Sequence, residues 1–253
     1  SGRTKYDTTK ESIMTTTQER SISVVTAEAP VGQMATARWT GVSYLGLAVA
    51  GVVGTLLVRG TLYVADDPGA TLANLVEQAP LARLGIAADI SIVAFQALVA
   101  VWFYKLFRRE NSVAAGSIAA FGLVNATAIL VATAFSATAL AVAGDVSLAP
   151  GGDQAATVQL LYSLNEWAWG LGGLFSGLWL IPMGYVVVTS KTMPAPLGWA
   201  LMIGGVGYVL STYITSLMPD APAAVAGVLT AAATIGEFWM IGYLLFVGAR
   251  RKG

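Results

Sequence analysis

The chain contains no cysteine and no histidine, and only 11% of its 253 residues are charged. Without cysteine no disulfide can form, and the redox compartment cannot be read from thiols. Without imidazole and thiolate, the usual ligands of zinc, haem and copper are missing, so neither a metal site nor a cofactor is expected. Histidine-dependent hydrolysis and the HExxH metal motif are excluded outright. The serine of LFSG, Ser176, has no histidine or nearby lysine to activate it. Soluble domains carry about 25% charged residues, so this surface could not be clothed in water. With 14 basic and 14 acidic residues the formal net charge is zero, and no basic run suits nucleic acid.

What the chain has instead is apolar length. It is 56% hydrophobic with a mean hydropathy of +0.69, and several apolar runs exceed the roughly 20 residues that cross a hydrocarbon core. The expected fold class is all-α: a polytopic six-transmembrane-helix bundle. The helices are expected at Trp39–Val58, Leu84–Phe107, Val113–Ala141, Asn165–Val188, Leu197–Leu217 and Val225–Val247. Residues 1–38 form a polar tail, expected to be disordered, and 39–253 the membrane domain. The tail contains no signal-peptide core, and Met14 in MTTTQERS reads like a native start.

Charge sets the expected orientation. Lys105, Arg108, Arg109 and Lys191 mark one side together with Arg250, Arg251 and Lys252, whereas Asp145, Asp153 and Asp220 mark the other. By the positive-inside rule both termini are cytoplasmic. Trp39, Trp102 and Trp199 fall near expected inner ends; Tyr63, Tyr162, Trp167 and Trp169 fall near outer ones.

The first outer loop, DDPGATLANLVEQAP, predicts a short amphipathic helix capped by Asp67 with Pro68 at its first position. Leu72, Leu75, Val76 and Ala79 would share its apolar face, with Thr71, Asn74 and Gln78 elsewhere. An interfacial covering is the plainer reading and a lid the sharper one. Gly173 and Gly177 have GxxxG spacing, and Gly204, Gly205 and Gly207 form a second small-residue face; both predict close helix packing. Pro182 should kink the fourth helix. No inverted repeat is evident between the two three-helix halves.

Charges inside the spans are expensive, at about 2.5 kcal/mol or more near the bilayer centre. Arg59, Asp89 and Glu166 are expected at similar depth in the outer half, with Arg83 on the rim and Glu237 deeper, at the floor of one pocket. Gln96 and Asn125 add neutral polarity. Snorkelling is the plainer account of Arg59 and Arg83. Glu237, about 18 Å into its helix, favours a functional account. Three acids could hold a hard cation, but no ligand spacing supports it.

Taken together, YLGLAVAGV at 44–52, VRG at 58–60, ATLANL at 70–75, LGIAAD at 84–89 and WFYKLFR at 102–108 resemble a bacterial, mainly actinobacterial, membrane family, domain of unknown function 4386. The longest stretches are GLFSGLWLIPMGYVVVTSKTMPAPLGWALMIGGVGY at 173–208 and IGEFWMIGYLL at 235–245. Members of that family often carry a histidine near the start of the fourth helix, where this chain has Asn165 and Glu166. The resemblance implies a six-helix fold in the bacterial inner membrane and brings no biochemical activity.

The preferred functional expectation is an outward-opening polar pocket that binds or passes a lipid, amphiphile or other small molecule. Arg59 and Arg83 would attract an anionic head group; Asp89, Glu166, Asn165 and Glu237 would complete the pocket or exchange protons. Two alternatives differ in class. One is a non-catalytic accessory subunit of a larger membrane complex, with other membrane subunits as partners; the other is an intramembrane enzyme using acids alone.

Overall fold

A computed structural model describes residues 29–218 and 220–248, and every regular element among them is helical. The expected C-terminal basic cluster and most of the polar tail lie outside the described residues. α1 runs Ala29–Val52, continues as a π-helical stretch over Val53–Arg59 and ends with a turn at Gly60–Leu62. α2 is the short helix Pro68–Glu77. The remaining spans are α3 (Ala79–Phe107), α4 (Ser112–Gly144), α5 (Gln154–Ser190), α6 (Ala195–Leu217) and α7 (Ala223–Phe246). Among the described residues six helices are long and apolar enough to cross a membrane. The shortest span has 23 residues, about 35 Å at 1.5 Å per residue, against roughly 30 Å of hydrocarbon.

Three helix starts differ most from the sequence expectation. α1 begins ten residues before Trp39, so part of the expected tail is helical. α3 begins at Ala79, with Pro80 in its first turn. α5 begins eleven residues before Asn165, because Asp153 accepts a hydrogen bond from the Ala156 N–H after the turn at Pro150–Gly152. At 37 residues α5 is about 55 Å long and must project beyond the apolar layer. It remains one continuous helix through Pro182.

The spanning helices close a ring: each packs on its neighbour in sequence, and α7 returns against α1. Glycine makes the closest approaches. A Cβ on Gly177 would sit 2.5 Å from the Gly205 carbonyl oxygen, and one on Gly204 would sit 2.2 Å from the Ala233 nitrogen. The small-residue faces therefore pack α5 on α6 and α6 on α7. Gly173 contributes less, facing Thr212 Oγ1 at 3.3 Å, whereas Gly184 and Gly198 form a second close α5–α6 pair.

One end of the ring is basic, with Lys105, Arg108, Arg109 and Lys191 at its turns. Phe103, Phe107, Ile118, Leu180, Met183, Leu197, Leu201, Met240 and Leu244 fill this half and seal it. The opposite end is capped by α2. Asp67 caps α2 through the Ala70 N–H as expected, but the buried face is Thr71 and Leu75, not the expected set. Val76 is exposed, and Thr71 instead hydrogen-bonds the Val64 backbone at both N–H and carbonyl. Asn74 donates to the carbonyls of Thr61 and Leu62, tying α2 to the end of α1.

Candidate functional site

Two cavities lie along the ring axis, built largely from the same four helices. Nearer the capped end, Gly54, Val58 and Arg59 of α1, Gly85 and Asp89 of α3, Ser136 of α4, and Tyr162, Asn165 and Glu166 of α5 line a space of about 60 Å³. About two turns deeper, Tyr44, Leu47, Ala48 and Gly51 of α1, Gln96 of α3, Asn125 of α4 and Trp169 of α5 line a cavity of about 590 Å³. Tyr208 of α6 and Thr234, Glu237 and Phe238 of α7 complete it.

The small cavity is organised by an ion pair. The Arg59 guanidinium donates to both Asp89 oxygens at 3.3 Å, with Asp89 5% exposed. Gly54 lies beside the carboxylate, where a Cβ would be in ordinary contact with Asp89 Oδ1 at 3.4 Å. The π turns of α1 insert an extra residue, which re-aims the side chains after them. Arg59 is thus engaged inside the bundle rather than simply snorkelling, and its guanidinium carbon also lies 4.1 Å over the Trp169 ring.

Asn165 is 3% exposed and donates to the Ala132 carbonyl at 2.7 Å and to Ser136 Oγ at 2.9 Å, joining α5 to α4. Tyr63 stacks on Tyr162, ring centroids 5.3 Å apart. Burial pushes the Tyr63 phenol above its ordinary pKa, with the Glu166 carboxylate beside it adding to the shift. Glu166 itself is exposed and sits twelve residues into α5, not at its start. Arg83 is exposed and lines neither cavity.

The large cavity is organised by Glu237, which accepts a 2.6 Å hydrogen bond from the Tyr44 hydroxyl. Tyr44 is 2% exposed and held by edge-on contacts with Phe103 and Trp179, centroids 5.7 and 5.6 Å away. These three rings separate the cavity from the packed basic half. Gln96, 2% exposed, has an amide nitrogen with no hydrogen-bond partner, and the buried indole N–H of Trp169 has none either.

The expected single pocket with Glu237 as its floor is therefore corrected to two. Arg59, Asp89 and Glu166 do gather in one cavity, but Glu237 belongs to the other. Trp169 stands at the boundary: it lines the large cavity and carries Arg59, which lines the small one, over its ring. A layer of Ala50, Ile92 and Ile129 packs at the same level. Trp169 was expected to anchor an outer end, and Tyr44 carried no expectation at all. A search signal for Tyr44 did exist: a deep carboxyl needs a donor at matching depth.

The site is also open sideways. Val52 of α1 and Phe238 of α7 line the large cavity and are 46% and 54% exposed on the bundle's flank. Thr234 between them is exposed too. Glu237 is fourteen residues into a helix of 24, about 21 Å along it, so this opening falls near the middle of the span.

Set against known proteins, residues 39–248 match the model of the family described as Domain of unknown function (DUF4386). No curated protein and no solved structure matches the chain.

Proposed function

We propose that this chain, which belongs to the DUF4386 family, is an integral membrane protein that binds a small amphiphilic molecule in the cavity around Glu237. The carrying observation is a cavity of about 590 Å³ whose apolar wall carries a small set of polar side chains around the Tyr44–Glu237 pair. Ligand sites commonly measure about 300–1,000 Å³, with apolar walls and a few polar groups that fix orientation. Tyr44, Gln96, Asn125, Tyr208 and Glu237 supply the few polar groups here, and Leu47, Ile92, Ile129, Phe238 and Ile241 are among the apolar ones.

Binding is favoured over passage. The basic half is filled by side chains, and the Tyr44, Phe103 and Trp179 rings close the cavity beneath Glu237. Toward the capped end, Trp169 under Arg59 stands between the two cavities. We further place the protein in the bacterial inner membrane with the basic turns in the cytoplasm. Lys105, Arg108, Arg109 and Lys191 support that orientation against Asp66, Asp67, Asp145 and Asp153 at the other end.

Native mass spectrometry of protein gently extracted from its own membrane tests the reading. A single chain with a reproducible adduct, weakened in Glu237→Gln and in Gln96→Leu, is the expected result. A chain without adduct that carries further protein subunits would replace this reading with that of an accessory subunit.

A further inference from the structure

We propose that the occupant is a neutral, oxygen-bearing lipid that reaches the cavity sideways from the bilayer, between α1 and α7. This rests on the binding reading above and adds both the route and the chemical class.

The route follows from where the wall is thin. Around the ring the large cavity is backed by packed helix pairs, but at the α1–α7 seam its lining residues Val52, Thr234 and Phe238 are exposed. Gly51 also lines the cavity, and a Cβ on it would meet nothing within 4 Å. The seam thus lacks both side-chain bulk and close packing at the level of Glu237. An apolar chain could remain between Val52 and Phe238, in contact with the hydrocarbon, while its head lies inside.

The class follows from charge. Among the described residues no lysine or arginine lines the large cavity, and its one carboxyl group is Glu237. Arg59, expected from sequence to attract an anionic head, is committed to Asp89 and lines the small cavity, not the large one. An anionic head would therefore face a carboxyl group with no cation to offset it. A neutral head instead meets the polar side chains of Gln96, Asn125 and Tyr208, with no charge of its own to set against Glu237. Asn125 and the Glu237–Tyr44 pair can take the proton of a hydroxyl head.

The test uses the full chain in vesicles with three diazirine probes: a long-chain alcohol, the carboxylate of equal chain length, and a short water-soluble alcohol. Labelled peptides are then mapped. The long-chain alcohol should label the 44–52 and 234–241 segments on the order of tenfold more than the carboxylate, a difference of about 1.4 kcal/mol. Filling the seam with Gly51→Trp, or separately with Val52→Trp, should cut that labelling severalfold. Gly51→Ala, whose single methyl would meet nothing within 4 Å, should not.

Equal labelling by the carboxylate would overturn the neutral class. Labelling that survives both tryptophan variants, or that the short alcohol matches, would overturn the lateral route while leaving binding intact. No labelling of either segment by any probe would overturn the binding reading itself.

Discussion

Replacing Gly207 with alanine should separate α6 from α7, and the cost can be worked from one distance. A Cβ on Gly207 would lie 1.9 Å from the Leu229 carbonyl oxygen. Carbon and oxygen approach to about 3.3 Å even in weak hydrogen bonds, so the helices must part by roughly 1.4 Å. The obstacle is backbone, which cannot swing aside as a side chain does. Overpacking of this kind costs about 1–3 kcal/mol, and the upper end applies here. Gly242 offers the control, because a Cβ there meets nothing within 4 Å, and alanine gains about 0.5–1 kcal/mol of helix preference. Both substitutions share that gain, so the two variants should differ by the overpacking cost, about 3 kcal/mol, on the order of a hundredfold in the folding equilibrium. Reversible unfolding in mixed micelles with increasing SDS measures that difference. Equal stability of the Gly207→Ala and Gly242→Ala variants would refute the claim that glycine sets this helix contact.

Tyr44→Phe should destabilise the bundle by about 1–3 kcal/mol in the same titration, because the Glu237 carboxyl loses its donor while remaining inside the ring. A loss no greater than that of an exposed tyrosine such as Tyr213 would count against the pairing. Asp89→Leu should cost about 2–3 kcal/mol, below the about 3–5 expected of a fully buried pair because the Arg59 side chain is 31% exposed. Adding Arg59→Leu should recover at least half of that loss, whereas simple additivity would mean the two residues do not act as a pair. Because the chain has no cysteine, single substitutions report orientation directly. Val146→Cys should react with an impermeant maleimide in whole cells and Arg109→Cys only after lysis; the reverse pattern would invert the proposed topology.

Much of the fold was legible because bilayer physics is coarse. Apolar runs of about 20 residues found six spans, and Asp67 with Pro68 found the cap of α2. The start of α5 was missed because Asn165 and Glu166 look like a helix end, although the turn at Pro150–Gly152 followed by Asp153 carried the true signal. Depth along a helix brought Arg59, Asp89 and Glu166 together correctly. It could not say which side of α5 would hold Trp169, and that ring divides the site in two. Tyr44 and Glu237 are 193 residues apart and meet only because the ring closes α7 onto α1. Periodicity within one helix carries no information on that closure.

The central claim is that the cavity around Glu237 holds a molecule. Its most direct test is an experimental density map of the protein prepared in native lipid and stabilised by a bound antibody fragment. The account predicts elongated non-protein density running from Gln96 and Trp169 to the seam between Val52 and Phe238. A cavity collapsed onto its own side chains, with the Gln96 amide bonded to protein, would contradict it.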